Sequence, residues 1–474
     1  MTMFKKISFL IILLLFSISC NNKKENTNPN IILILVDDLG YADVGFNGSK
    51  DIKTPHIDNI ADNGVIFSEG YVSYPVCGPS RAGLITGRYQ DTFGFGKNPL
   101  FAPKDPNMGL PLSEETIADM LKISNYRTFA VGKWHLGAHQ SLRPMKRGFD
   151  EFFGFLTGGH RYFPHEWNLE DETKVKSQSA AYRTKLLRNE ERIVEKEYLT
   201  DALSRESVDF IDRNADNPFF IYLAYNAPHG PLQATEKYLK RYSHIKEKNR
   251  RIYAAMVSAV DDGVGNIISK LKEKGIYENT IVYFLSDNGG RLRGDSDNGE
   301  LRGKKGNLFE GGIRVPFVMQ WPKEIKGGQI FDKPVISLDI FATSKALTSP
   351  LVESKNELHG VNLIPFLKGE NKDQPHDFLF WRNNLMQNDV NLRYEASAVR
   401  TEKFKFIKNK ESDALYNLKN EISEKTNLKN QNQEMYDSLK YKYSKWYKTL
   451  MDPAFLGLLA NKEYNKLNPD RFKN

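Results

Sequence analysis

The sequence predicts an α/β fold: a large mixed, mostly parallel sheet between helices, plus a smaller C-terminal α+β subdomain with a short antiparallel sheet. Three observations predict it. Apolar runs of strand length are each followed at once by polar, chemistry-bearing residues, as in Asn30 to Val36 and then Asp37-Asp38. Helical periodicity separates these runs, which is the pattern of strands joined by crossover helices. From about Gln374 the pattern changes to short strands around tight turns.

The chain has 474 residues, 40% of them hydrophobic, enough to bury a substantial core. Residues 1–19 read as a signal peptide: Lys5 and Lys6 precede an apolar run, Phe9 to Phe16, that is too short to span a bilayer. Ser17-Ile18-Ser19-Cys20 then resembles a bacterial lipoprotein signal, although Ser17 stands where a larger aliphatic residue is usual. On that reading Cys20 is lipidated and residues 20–28 form an Asn/Lys-rich tether. The expectation is an exported protein of the periplasm or cell surface that meets the membrane only through a lipid anchor. The net charge of +8 is interspersed along the chain. With no arginine-rich arm or nucleic-acid motif, the charge argues against nucleic acid and leaves polyanions such as sulfated glycans.

Asn30 to Val36 is apolar without alternation, as in a parallel strand buried on both faces. Thr54 caps a short helix towards Gly64, and Val65 to Phe67 can form a strand. Further strands are expected at Arg127 to Val131, Pro218 to Ala224 and Thr280 to Leu285. Between the last two, Tyr253, Met256, Val260, Val264, Ile267 and Leu271 recur on one helical face. Asp261 and Asp262 of that helix are read as structural. In the C-terminal unit, Phe378 to Trp381, Ala396 to Ile407 (turning at Thr401) and Ala414 to Leu418 read as antiparallel strands. A helix from Gln433 to Leu450 follows, with Met435, Leu439, Tyr443 and Trp446 on one face.

In sheets of this kind the ligand site lies beyond the carboxyl ends of the strands. Asp37, Asp38, Lys133, His135, His229, Asp287 and Asn288 all follow strands and can converge on one rim. The three carboxylates and the Asn288 amide make an all-oxygen set that suits calcium or magnesium, and no histidine pair has zinc spacing. Around them stand Arg81, Lys133, His135, His229 and Lys305. One divalent cation ringed by fixed positive charges suits a tetrahedral oxyanion, phosphate and sulfate alike. Cys77 opens a helix-like run with Arg81 close behind, a setting that lowers a thiol's pKa and makes it a candidate nucleophile. The chain has two cysteines, so a lipidated Cys20 leaves Cys77 unpaired.

Cys77-Gly78-Pro79-Ser80-Arg81 with Thr86-Gly87-Arg88, and Gly132-Lys133-Trp134-His135-Leu136-Gly137, resemble motifs of the formylglycine-dependent type I sulfatases of the alkaline phosphatase superfamily. Asp37-Asp38, Asp287-Asn288-Gly289, Glu310-Gly311-Gly312-Ile313-Arg314 and Leu415-Tyr416-Asn417-Leu418 match as well. The resemblance runs from Pro29 to about Leu450 and implies an alkaline phosphatase-like sandwich, with a catalytic domain over 29–373 and a C-terminal subdomain over 374–474. It implies that Cys77 is oxidised to formylglycine (3-oxoalanine) by a formylglycine-generating or anaerobic sulfatase-maturating enzyme. The hydrate of that aldehyde would attack sulfur and later collapse to expel sulfate. Asp37, Asp38, Asp287, Asn288 and the modified Cys77 would hold one Ca2+. Arg81 and His135 would orient and activate the hydrate, Lys133 and Lys305 would bind sulfate oxygens, and His229 would help protonate the leaving alcohol. Lys304 is the neighbour that motif register sets aside.

The expected function is a sulfatase acting on fragments of sulfated polysaccharides such as ulvan, carrageenan, fucoidan or glycosaminoglycans. His160 and Arg161, in a loop after Phe149 to Leu156, are candidates for reading the sugar. Two alternatives stand: a phosphodiester or phosphonate hydrolase on the same fold, and a non-catalytic polyanion-binding lipoprotein.

Overall fold

A computed structural model describes residues 28–170, 172–292, 295–384, 396–408 and 413–472. The signal, the lipidation site Cys20 and nearly all of the tether lie outside the described residues. Among the described residues ten strands form the main sheet. Its centre is five adjacent parallel strands in the order Thr280–Ser286, Asn30–Val36, Phe219–Ala224, Arg127–Lys133 and Glu151–Phe155. Phe317–Gln320 pairs antiparallel with Thr280–Ser286, so the sheet is mixed.

The apolar run Asn30–Val36 explains why this sheet sits in the middle. Ile31, Leu33 and Leu35 enter one hydrophobic core, while Ile32, Ile34 and Val36 enter another on the opposite face. Both cores are covered by helices, including Lys248–Glu273, whose Tyr253, Met256, Val260, Val264, Ile267 and Leu271 are all buried. Alternating side chains of one strand thus hold two layers together.

Some elements differ from expectation. Arg127–Lys133 runs two residues further than the sequence suggests, so Lys133 ends the strand and does not follow it. The strand Glu151–Phe155 was not expected; it borders the sheet's parallel centre and delivers the loop carrying His160. At the helix Pro55–Asp62, Thr54 occupies the cap position but makes no capping bond. Its hydroxyl instead accepts the Gly45 N–H at 2.7 Å. Asp261 Oδ1 takes the His56 and Ile57 N–H groups, at 3.0 and 2.9 Å, so a residue read as structural does the capping from another helix.

The C-terminal strands Leu379–Asn383, Ala396–Arg400, Phe404–Lys408 and Asp413–Asn417 form an antiparallel sheet in chain order. The helix Gln433–Tyr447 packs on it through Tyr436, Leu439 and Tyr443. A buried ionic cluster fastens this sheet to the main one: Glu310 accepts from Tyr71 at 2.5 Å and from Lys405 at 2.7 Å, and Arg400 pairs with Glu69 at 2.6 Å. Beyond residue 450 the chain returns to the main body, where Ala454 and Leu458 donate to the carbonyls of Gly94 and Asn98, both at 2.9 Å.

Candidate active site

The C-terminal ends of the parallel strands bring the expected rim residues together. Asp37 and Asp38 follow Val36; Lys133 ends its strand; His135, His229, Asp287 and Asn288 lie just beyond theirs. The helix Cys77–Thr86 points its first residue at this rim, and all ten of its residues are buried. Helical spacing places Cys77 and Arg81 one turn apart on the same face. Gly78 must lack a side chain, because a β-carbon there would stand 2.9 Å from both Asn98 Oδ1 and Pro99 Cδ.

Cys77 Sγ donates to Asp37 Oδ1 at 3.3 Å and receives Lys305 Nζ at 3.0 Å. The lowered thiol pKa that the sequence suggests is corrected here: burial, reinforced by Asp37, pushes Cys77 up to about 12. Arg81 does not offset this, because it is committed elsewhere. Its Nε and Nη2 reach Asp287 Oδ2 at 2.9 and 2.8 Å, and Nη1 donates to the Lys133 carbonyl at 3.0 Å. An unmodified Cys77 is therefore a protonated, buried thiol and a poor nucleophile near neutral pH.

Opposite charges interleave around Cys77. Lys133 Nζ meets Asp37 Oδ2 and Lys305 Nζ meets Asp38 Oδ1, both at 2.5 Å. Lys304 is exposed. Burial alone would raise Asp38, but the charge and hydrogen bond of Lys305, joined by His229 and the Asn288 hydrogen bond, together hold its carboxyl well below the usual range, whereas burial and neighbouring Asp37 raise Asp287. Carboxylates crowded this closely are a feature that a bound cation relieves. Asn288 Nδ2 donates to Asp38 Oδ1 at 2.7 Å, while Asn288 Oδ1 and Asp38 Oδ2 are buried with no hydrogen-bond partner among the described residues. Two such oxygens beside further carboxylates fit a hard divalent cation. Atoms of Asp37, Asp38, Cys77 and His229 lie within 4.8 Å of one another, close enough to share one ion.

The two histidines are neutral. Burial, then the charge of Lys133, lowers His135 well below the ordinary imidazole value, and its Nδ1 is buried without a partner among the described residues. Burial lowers His229 to about 3. Its Nδ1 bonds the Gly230 carbonyl at 2.7 Å, which turns Nε2 towards Asp38 Oδ2, 3.7 Å away. Asp38 and His135 both adopt left-handed backbone, at φ 65° and 56°, strain that clusters at functional sites.

His160 departs from expectation and is corrected. It is fully buried beside Phe155 and Trp167, and its ring nitrogens face the carbonyls of Arg161 at 2.9 Å and Thr184 at 2.8 Å. Burial lowers its pKa to about 4. Neither nitrogen is free to read a sugar, so His160 braces the loop. Arg161 is half-exposed and pairs with Glu166 at 3.5 Å. That loop still matters: a β-carbon on Gly158 would lie 2.6 Å from His135 Nε2, so its backbone roofs this ring.

Other residues of the site have no signal in a single sequence. Asn298 is buried and fastens three loops at once. Its Oδ1 accepts the N–H of Tyr41 at 3.3 Å and of Gly290 at 3.0 Å; its Nδ2 donates to Gly303 O at 3.2 Å and Gly311 O at 2.9 Å. Those loops carry Asp37-Asp38, Asp287-Asn288 and Lys305. Arg291 Nε adds a cation 4.0 Å from Asp38 Oδ2.

Residues 29–349 match the family described as Sulfatase, and residues 303–449 match "N-sulphoglucosamine sulphohydrolase, C-terminal". The chain is 34% identical over 379 residues to N-acetylgalactosamine-6-sulfatase of Mus musculus, covering 76% of this chain and 69% of that protein. Among solved structures, Ps i-CgsB in complex with k-i-k-neocarrahexaose superposes with a TM-score of 0.84 at 40% identity, over 94% of this chain and 100% of that one. The phosphonate monoester hydrolase of Agrobacterium radiobacter shares the fold, with a TM-score of 0.66 at 19% identity over 89% of this chain and 96% of that one.

Proposed function

The chain belongs to the sulfatase family and is a sulfuric ester hydrolase, and from that premise we propose that it removes sulfate from sulfated carbohydrate fragments, carrageenan-type galactans first among them. The single observation that carries the reading is Cys77 Sγ, set between Asp37 Oδ1 and Lys305 Nζ and held protonated by burial. As a thiol it has no use there. As the precursor of formylglycine, with Sγ marking where the new oxygen would stand, it faces a carboxylate and a lysine that can order that oxygen. Likeness to the neocarrahexaose-bound Ps i-CgsB supports a carrageenan-type substrate.

Formylglycine would supply a hydrated aldehyde as nucleophile, and a calcium ion held by Asp37, Asp38, Asp287, Asn288 and the modified residue would supply Lewis-acid charge. The chain's own residues do the rest. Lys133 and Lys305 bring two ammonium groups to the rim, where they would hold sulfate oxygens and stabilise the charge that builds on them. Arg81, fixed on Asp287, steadies one of the proposed ligands. Neutral His135 has an open Nδ1 and would hold a proton drawn from the nucleophile. His229, with its Nδ1–H bonded to Gly230, leaves Nε2 facing the rim, where it would first take up a proton and then hand it to the departing oxygen.

Maturation would need a formylglycine-generating or anaerobic sulfatase-maturating enzyme as partner. Export with a lipid anchor on Cys20 remains part of the proposal, as does the division into a catalytic domain over 29–373 and a C-terminal subdomain over 374–474. Among the described residues no helix is long and apolar enough to cross a membrane.

The test measures inorganic sulfate released by the matured protein from defined carrageenan, ulvan, fucoidan and glycosaminoglycan oligosaccharides, with phosphate diesters alongside. Release from one carbohydrate class, led by carrageenan, is expected. Faster cleavage of phosphate diesters than of any sulfate ester contradicts the proposal.

A further inference from the structure

A recess of about 400 Å³ opens beside the lysine end of the site, lined by Val76, Asn98, Lys305, Asn384, Leu458 and Leu459 among others. That volume lies within the range of small-ligand sites, roughly 300–1,000 Å³. The recess adjoins the reacting centre: Val76 precedes Cys77, and Lys305 Nζ is the atom 3.0 Å from Cys77 Sγ.

Asn98 ties the recess to that centre. Its Oδ1 accepts the Gly78 N–H at 2.7 Å, and its carbonyl accepts the Leu458 N–H at 2.9 Å. One residue thus joins the start of the Cys77 helix to the short turn Leu458–Ala460, which belongs to the returning C-terminal segment. The walls combine two chemistries. Leu459 is 66% exposed, an apolar side chain left facing outward at the recess. Asn384 Nδ2 is buried without a hydrogen-bond partner among the described residues. An apolar surface beside an unsatisfied donor suits a ligand with C–H faces and hydroxyl edges.

We infer that this recess holds a sugar unit of the leaving group, with its C–H face on Leu458 and Leu459 and a hydroxyl accepting from Asn384. The inference rests on the carbohydrate-sulfatase reading and deepens it: the C-terminal turn makes the enzyme a sulfatase of oligosaccharides, whereas hydrolysis of a small aryl sulfate needs only the charged rim.

The experiment uses the full matured protein with Leu459→Ala and Leu459→Asp. Leu459 is exposed, so neither change threatens the fold, and melting temperature checks this. The carbohydrate probe is whichever oligosaccharide of the panel above gives the highest wild-type rate; the control is 4-nitrophenyl sulfate. Losing the contact of one leucine should lower kcat/KM on the oligosaccharide roughly tenfold, more for Asp, while the aryl sulfate stays within about twofold. An equal fall on both substrates, or no fall on the oligosaccharide, overturns the recess and leaves the carbohydrate reading standing. If the wild type hydrolyses the aryl sulfate but no oligosaccharide, both fail.

Discussion

Lys305 Nζ lies 3.0 Å from Cys77 Sγ and 2.5 Å from Asp38 Oδ1, so one ammonium group bridges the residue to be modified and a proposed metal ligand. Removing it takes away the charge proposed to hold sulfate and leaves Asp38 with less compensation. Lys305→Ala is expected to lower kcat by about 10²–10³-fold, the scale of losing one oxyanion-stabilising donor. Steady-state kinetics on 4-nitrophenyl sulfate checks this; a change confined to KM would mean that Lys305 binds substrate without stabilising the transition state.

Asn298 joins the three loops that carry Asp37-Asp38, Asp287-Asn288 and Lys305. Truncation leaves buried backbone groups unpaired, at a cost of about 1–3 kcal/mol each. Asn298→Ala should need more calcium for half-maximal activity after chelator treatment, because the proposed ligand loops lose their common tie. Calcium titration of the chelated enzyme tests it. An unchanged midpoint would make Asn298 a support for stability alone, and restoration by zinc in place of calcium would contradict the oxygen-ligand argument.

His160 sits between Phe155 and Trp167 with both nitrogens facing carbonyls. His160→Ala opens a cavity of aromatic size, with a loss of about 3 kcal/mol. The melting temperature should fall while KM for the carbohydrate holds. A raised KM at unchanged melting temperature would restore the substrate-reading role that its burial argues against.

His376 Nε2 bonds Asp339 Oδ1 at 2.8 Å, and Asp339 also accepts the Ile336 N–H at 2.8 Å and the Val361 N–H at 2.9 Å. Burial opposes the imidazolium, but the charge and hydrogen bond of Asp339, with the charge of Asp377, together raise His376 above its ordinary 6.5. A raised folded pKa adds stability that is complete below the unfolded value and disappears as pH climbs through the folded one. The gap in melting temperature between wild type and His376→Gln should therefore be wider at about pH 5 than at about pH 9. A gap that widens with pH would reverse the sign and refute the pairing.

The site was legible where chemistry stands at or just beyond the end of a strand. Asp37, Asp38, Lys133, His135, His229, Asp287 and Asn288 converge because five parallel strands end on one side, and a doubly buried strand such as Asn30–Val36 shows itself as unbroken apolar sequence. What escaped the sequence depends on partners distant in the chain. The Cys77 thiol is raised by burial and by Asp37, 40 residues away, while Arg81, the cation beside it in sequence, turns to Asp287, 206 residues away. Asp261 caps a helix 204 residues before it. Asn298 looks like any loop asparagine until the loops it joins are folded. Glu151–Phe155 was missed because five residues beside a glycine-rich loop carry little periodicity, and its pairing with Arg127–Lys133 supplies the strand's identity.

Cys77 is proposed to work as an aldehyde. Mass spectrometry of the peptide containing Cys77, taken from protein produced with a sulfatase-maturating enzyme and shown to release sulfate, tests it most directly. Formylglycine is expected at this position, trapped as a hydrazone by an added hydrazine. An intact thiol at Cys77 in a sample that turns over sulfate esters would contradict it.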